Sequence, residues 1–182
     1  MAKRKNPWKT LGSREAYDNP WIRVHEDKTI NPAGKPGIYG KIHFKSRACG
    51  IIPIDTNGDT WLVGQHRYVL DAYSWEIPMG GVPLDENPLA GARRELKEET
   101  GLSASNWEEI LNVHISNSVS DEAGVVYIAT GLTEGEPQFE ETEDITIRRL
   151  PFADALQMVV NGEITDLLSV AGLLRCAMRA SA

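Results

Sequence analysis

Cysteine is scarce: the 182 residues include only Cys49 and Cys176. Two cysteines cannot staple a disulfide scaffold. Each lies in an apolar stretch, Arg-Ala-Cys-Gly-Ile-Ile and Leu-Leu-Arg-Cys-Ala-Met, so both are expected as buried free thiols. Long apolar runs are missing as well. No stretch approaches the roughly 20 apolar residues of a spanning helix, and the basic start MAKRKNPWK is not followed by the apolar core of a signal peptide. These absences lead to the expectation of a cytoplasmic protein without a membrane partner. Positive charge is in deficit: the net charge is −7 and the pI about 5.1. Such a surface repels bulk nucleic acid, so a phosphorylated substrate needs a local cation from a side chain or a metal. His25, His43, His66 and His114 are scattered without ligand spacing and are read as structural. There is no internal repeat. What remains is ordinary, 41% hydrophobic and 25% charged, enough for one good core and a small N-terminal appendage.

Residues 1–20 are polar, broken by Pro7 and Pro20, and are expected to be irregular. Trp21–Ile30 and Ile38–Phe44 alternate apolar and polar residues around the turn Asn31-Pro-Ala-Gly-Lys-Pro-Gly37, which predicts an antiparallel strand pair. Cys49–Ile54 and Thr60–Gln65 flank Asn57-Gly58, a hairpin signal. Trp75–Pro78 is a short strand before Gly80-Gly81. A helix follows, with Asn87 as N-cap, Pro88 in its first turn and Gly101 as its stop. Val113–Ser116, Val125–Ala129 and Thr146–Leu150 read as strands; Phe152–Val160 and Asp166–Met178 have helical apolar spacing. The order is α+β rather than regular βαβ alternation.

The informative stretch is GGVPLDENPLAGARRELKEETGL, residues 80–102. On a helix, Glu95, Glu98 and Glu99 fall at i, i+3 and i+4 and share one face, while Leu89, Ala92 and Leu96 line another that suits packing on a sheet. Like charges at this spacing repel by a few tenths of a kcal/mol per exposed pair. Stacked carboxylates without interleaved lysines invite a hard divalent cation, Mg2+ or Mn2+, although a solvated acidic face would look the same. Gly80 and Gly81 let the backbone bend tightly beside such a site. Arg94 stands one turn before Glu98 and can pair with it, or with Glu86.

The full spacing is Gly80, five residues, Glu86, seven residues, Arg94-Glu95-Leu96, one residue, Glu98-Glu99, one residue, Gly101-Leu102. At ~7% usage per residue, the chance that the seven fixed residues of this spacing coincide is on the order of 10⁻⁸ per starting position. The stretch resembles, at every fixed position, the Nudix box of the Nudix hydrolase superfamily. That resemblance implies an α/β/α sandwich around a mixed β-sheet and Mg2+-dependent hydrolysis of a pyrophosphate linked to another moiety. It also implies Glu95 and Glu99 as main metal ligands, Glu98 as an auxiliary one, and the Met79 carbonyl as a further one.

The flanks, over roughly residues 20–178, look like the ADP-ribose and nucleoside diphosphate sugar pyrophosphatase branch. Val63-Gly-Gln-His-Arg-Tyr68 and Trp75-Glu-Ile-Pro78 resemble its Gln-x-Arg-Tyr and Glu-x-Pro elements; Ser120-Asp-Glu122 resembles its Ser-x-Glu; Glu140-Glu-Thr-Glu-Asp-Ile145 resembles its acidic loop; Asn161-Gly-Glu-Ile-Thr-Asp166 resembles its late Gly-x-Ile turn. Arg67 is therefore a candidate for a base or phosphate, with a plain surface strand residue as the alternative. Glu76 either accepts from a base amino group or pairs with Arg67. Trp21 is a candidate stacking platform, as are Tyr68 and Trp75, each with a plain core residue as the alternative, and Glu122 joins the candidate substrate-binding set. By the same resemblance, Glu141 is the expected general base with Glu143 in reserve, and the strands of residues 1–45 are expected to be exchanged in a homodimer ahead of a hydrolase domain over 46–182. Where this branch usually carries a proline after the box, the chain has Ser116-Asn-Ser-Val119, which points to a broader or different nucleoside diphosphate sugar. The alternatives are a dinucleoside polyphosphate or RNA-cap hydrolase, which the acidic surface disfavours, and a catalytically silent nucleotide sensor, which the complete carboxylate set disfavours.

Overall fold

The computed structural model describes residues 5–139 and 144–180. The chain forms two compact units, Met1–Ser46 with His114–Glu122, and Arg47–Val113 with Ala123–Ala182.

The first unit is a three-stranded antiparallel sheet of β1 (Lys9–Asp18), β2 (Ile22–Ile30) and β3 (Pro36–Phe44), in that order. Asn19 makes the first turn: its side-chain oxygen accepts from the N–H groups of Trp21 at 2.9 Å and Ile22 at 2.8 Å. The expected β2–β3 pairing is present from Ile22↔Phe44 to Ile30↔Pro36. The irregular start expected for residues 1–20 is corrected, because Lys9–Asp18 is a strand. This edge strand is exposed along its whole length, so its sequence carries no apolar alternation to betray it. The segment 115–122 lies along β3: the Ile42 N–H donates to Val119 C=O at 2.9 Å, and the Asp121 N–H to Ile42 C=O at 3.1 Å. The Asp121 carboxylate takes the Phe44 N–H at 2.9 Å and lies 2.7 Å from His43 Nδ1. Burial pushes Asp121 up, but His43 and the Phe44 N–H outweigh it and hold this acid below the usual range.

The second unit contains β4 (Ser46–Pro53), β5 (Asp59–Arg67), β6 (Ala72–Glu76), β7 (Met79–Pro83), α1 (Pro88–Thr100), β8 (Ser103–His114), β9 (Ala123–Thr133), β10 (Thr146–Pro151), α2 (Phe152–Val160) and α3 (Leu167–Ala180). One sheet has the order β7-β4-β9-β8, with β4 and β9 parallel; the other has the order β10-β5-β6 and is antiparallel. Period-two alternation sends adjacent residues to opposite faces. Cys49, Ile51, Val125 and Tyr127 thus join Ala92 and Leu96 of α1 in one cluster, while Ile52 and Val126 join Met158 of α2 and Leu168 and Leu173 of α3 in another. Helices on both faces of this mixed and antiparallel sheet layer give the expected α/β/α sandwich. Both cysteines are buried and free.

Three readings of this unit change, and the simplest is the strand expected at Trp75–Pro78, which runs from Ala72 to Glu76 instead. The Asn57-Gly58 turn exists, with the Asp55 N–H donating to Asp59 C=O at 3.1 Å and Gly58 at φ 83°, but the flanking strands meet only at the bridge Ile54↔Thr60. β4 then pairs with β7 and β9 while β5 joins the other sheet, so this is a corner between sheets. The strand expected at Val113–Ser116 instead occupies Ser103–His114. It is another edge strand, and its largely exposed, polar faces hid it.

Candidate active site

Helix α1 is cut to length by its own sequence. Asn87 Oδ1 accepts from the Leu89 N–H at 2.9 Å and the Ala90 N–H at 3.3 Å, and Pro88 opens the first turn. At the other end Gly101 turns to φ 73°, and its N–H returns to Lys97 C=O at 2.9 Å. A side chain there would also meet Gly135 O at 2.2 Å, so the segment after β9 packs directly on the helix end. The Gln138 N–H then donates to Glu98 C=O at 2.8 Å.

Between these caps the helix presents its acids as the 3.6 period requires. Glu95 is 8% exposed and Glu99 2%. Glu99 Oε2 accepts from the Met79 N–H at 2.8 Å. A Cβ at position 80 would stand 2.1 Å from the Glu95 carboxyl carbon. Gly80 is therefore required for the space it leaves. The tight bend expected at Gly80 and Gly81 is not its purpose, for both lie within strand β7 and neither has positive φ. Arg94 takes both expected partners and a third: Glu98 at 2.9 Å, Glu86 at 3.9 Å and Glu95 at 2.8 Å. Burial lowers the Arg94 pKa, and the Glu95 and Glu98 carboxylates more than reverse this, so it stays cationic.

Arg67 and Glu76 form a two-point ion pair, with Arg67 Nε donating to Glu76 Oε1 at 2.8 Å and Nη2 to Oε2. Glu76 is 3% exposed. The Glu76 hydrogen bonds raise the Arg67 pKa most, burial opposes, and the charges of Asp166 and Glu99 add to the rise. Of the α1 acids, Glu99 is thus the one whose charge reaches Arg67. Trp21 and Glu122 belong to the first unit, where Trp21 is 71% exposed and Glu122 half-buried. Tyr68 is fully in solvent at the β5–β6 turn, whereas Trp75 packs against the core, edge-on to Tyr73 at 5.6 Å. Glu141 and Glu143 lie outside the described residues. Sequence reasoning missed Ser169, which is fully buried and accepts from the Ile77 N–H at 3.0 Å. Asp166-x-x-Ser169 signals a helix start but not what its hydroxyl reaches.

The NUDIX domain family matches residues 44–167, and the nucleoside diphosphate sugar hydrolase N-terminal domain family matches residues 8–42. The chain belongs to the Nudix family. This Nudix pyrophosphohydrolase is 34% identical to the ADP-ribose pyrophosphatase of Mycobacterium tuberculosis, over 93% of its own length and 83% of that protein's. It is 27% identical to the CMP-5'-(N-acetyl-N-hydroxy-3-aminopropyl)phosphonate hydrolase of Streptomyces rubellomurinus, over 91% and 83% of the two chains. Its fold matches the crystal structure of an ADP compounds hydrolase with a TM-score of 0.87 at 18% identity, covering 99% of this chain and 97% of that one. Among the described residues no helix is long and apolar enough to cross a membrane.

Nudix hydrolases generally use a divalent metal, and the donor set here fits one in kind. Glu95, Glu98, Glu99 and the Met79 carbonyl are all oxygen donors, as Mg2+ prefers, and the space over Gly80 is taken by the Glu95 carboxyl. Among the described residues no three acidic, histidine or cysteine side chains are gathered to hold an ion as they stand. The acids are instead engaged by the protein, Glu95 and Glu98 by Arg94 and Glu99 by the Met79 N–H.

Proposed function

We propose that this Nudix enzyme hydrolyses the pyrophosphate of nucleoside diphosphate sugars, ADP-ribose or compounds like it, giving a nucleoside monophosphate and a sugar phosphate. The observation that carries the reading is the pair of buried carboxylates, Glu95 and Glu99, one fitted over Gly80 and one tied to Met79. It is supported by the match of residues 8–42 to the N-terminal domain of nucleoside diphosphate sugar hydrolases. The M. tuberculosis relative favours ADP-ribose. The Streptomyces relative, named for a CMP conjugate, favours tolerance at the base and at the group beyond the phosphate.

When bound, roughly two or three Mg2+ ions would supply an acidified water and neutralise charge on the phosphates. Glu95 and Glu99 would hold the metal, with Glu98 and the Met79 carbonyl completing the oxygen set. Arg67, already oriented by Glu76, offers its remaining N–H groups to a phosphate or the base. Trp21 stacks on the base, and Glu122 contributes a polar contact. Glu141 takes the proton of the attacking water, with Glu143 in reserve. This choice is supported by the likeness of Glu140-Glu-Thr-Glu-Asp-Ile145 to the acidic loop of the ADP-ribose and nucleoside diphosphate sugar pyrophosphatase branch. The N-terminal strands of residues 1–45 exchange across a homodimer and help hold the nucleoside.

The test is a screen of nucleoside diphosphate sugars, with phosphate released from the products by a coupled phosphatase. The expected result is release from ADP-ribose-like compounds that needs Mg2+ and is lost in Glu99→Gln. Release from none of them, or the same release in EDTA, sinks the proposal.

A further inference from the structure

The segment Glu76-Ile77-Pro78-Met79 links the Arg67 pair to the proposed metal-binding oxygens, and it is pinned at every residue. The Glu76 side chain is held by Arg67. The Pro78 carbonyl accepts from the Ile51 N–H at 2.8 Å, and the Met79 N–H donates to Glu99 at 2.8 Å. The fourth pin, on Ile77, comes from far along the chain. Its N–H donates to Ser169 Oγ at 3.0 Å, and that hydroxyl donates to Asp166 Oδ2 at 2.8 Å.

Asp166 has its own reason to stay fixed. Its Oδ2 also accepts the Ser169 N–H at 2.8 Å, and its carbonyl accepts the Val170 N–H at 2.9 Å, so it caps the start of α3. The close approach of α3 to this segment is built in by glycine. A Cβ at Gly50 would stand 2.7 Å from Ile77 Cδ1 and 3.3 Å from Leu168 Cδ2. Helix, strand and segment therefore meet without slack, and Ser169 is fully buried at the junction.

We infer that the Asp166–Ser169 relay is a positioning device for the site: it fixes the Ile77 amide and thereby aims the Met79 carbonyl and the Glu76 carboxylate. The inference rests on the metal reading above. Loss of the Ser169 hydroxyl leaves a buried N–H without its acceptor, and the segment shifts to find another. Partners that orient ligands at one remove typically change metal affinity by about 10–100-fold when removed. Ser169 is a positioning residue and touches no substrate.

The experiment titrates Mn2+ alone, without substrate, and follows free Mn2+ by electron paramagnetic resonance in the full-length protein. The variants are Ser169→Ala, Ser169→Cys and Leu173→Val. Ser169→Cys keeps the volume and a weak acceptor, so it answers if the alanine variant does not fold. Leu173→Val loosens the same helix while leaving the hydroxyl in place. The expected result is Mn2+ binding weakened about ten-fold or more in Ser169→Ala, partly in Ser169→Cys and not in Leu173→Val. Amide exchange should speed up at Ile77 and Met79 in the two Ser169 variants only. Unchanged Mn2+ affinity in both Ser169 variants overturns the relay while leaving the metal reading intact. Equal weakening in Leu173→Val reduces Ser169 to a packing residue and also overturns it. Absence of Mn2+ binding in the unaltered protein removes the metal reading, and this inference with it.

Discussion

Gly80→Ala is the smallest change that tests the geometry of the carboxylate face. The added carbon would stand 2.1 Å from the Glu95 carboxyl carbon and 2.2 Å from one of its oxygens, where real contacts stay beyond 3.0 Å. The carboxyl must therefore withdraw by roughly 1 Å, a displacement that costs about 100-fold in rate when it affects a group positioning the reaction. Glu95 is buried and already tied to Arg94 at 2.8 Å, so it has little room to yield. Overpacking of this kind costs about 1–3 kcal/mol, or roughly 2–12 °C in Tm for a chain of this size. Gly12→Ala is the control, because nothing lies within 4 Å of the carbon it adds. The assay is kcat at saturating Mg2+ alongside thermal unfolding. Gly80→Ala with the turnover and Tm of Gly12→Ala would refute the packing argument and, with it, the role assigned to Glu95.

Glu95→Gln and Glu99→Gln each keep the shape of a buried side chain while removing its charge; kcat should fall by orders of magnitude with the circular dichroism unchanged, and near-normal turnover in both would remove the ligand assignment. Arg67→Ala leaves the Glu76 carboxylate buried without its cation. Since Arg67 itself is partly in solvent, stability in urea should fall by about 2–3 kcal/mol, and Glu76→Gln added to it should restore most of the loss; no recovery would mean the pair is not what the site needs. Burial pushes the Cys49 thiol to about 11, above its ordinary range, so its contribution is full below pH 9 and is lost as pH rises through about 11. Tyr127, pushed to about 12 by burial and then by Glu109, extends the loss upward. Thermal unfolding from pH 8 to 11 should fall less steeply in Cys49→Ala, and an unchanged slope would contradict the assignment. Sedimentation at micromolar concentration should give a dimer, and a fully active monomer would be incompatible with exchange of the N-terminal strands.

Where the sequence punctuates locally, the structure follows it. Asn87, Pro88 and Gly101 bound α1 as read, and Leu89, Ala92 and Leu96 pack where their spacing puts them. Strands were legible where their residues alternate apolar and polar, as β3 does although none of its residues is buried. β1 and β8 are exposed edges, so their residues carry no alternation, and the parallel pairing of β4 with β9 depends on residues some 76 positions apart, as in Ala48↔Gly124. The acids of the site were legible as a spacing, but their surroundings were not. That Gly80 yields its space to Glu95 and that Ser169 holds Ile77 come from elements remote in sequence, while the Arg94 contact with its neighbour Glu95, beside the expected Glu86 and Glu98, depends on side-chain rotamers that spacing does not fix. Arg67 and Glu76 form the ion pair that is one of the two readings of Glu76, and Trp21 and Glu122 lie in the other unit.

The tie between the Gln138 N–H and the Glu98 carbonyl has a consequence for how changes remote in sequence reach the acids. Glu98 is gripped twice, at its carbonyl by Gln138 and at its carboxylate by Arg94 at 2.9 Å. Gly135 meanwhile abuts the helix end at Gly101, where even a Cβ would stand 2.2 Å from its carbonyl oxygen. A substitution within 135–138 therefore bears on the last turn of α1, and through it on the carboxylate face, without altering an acid.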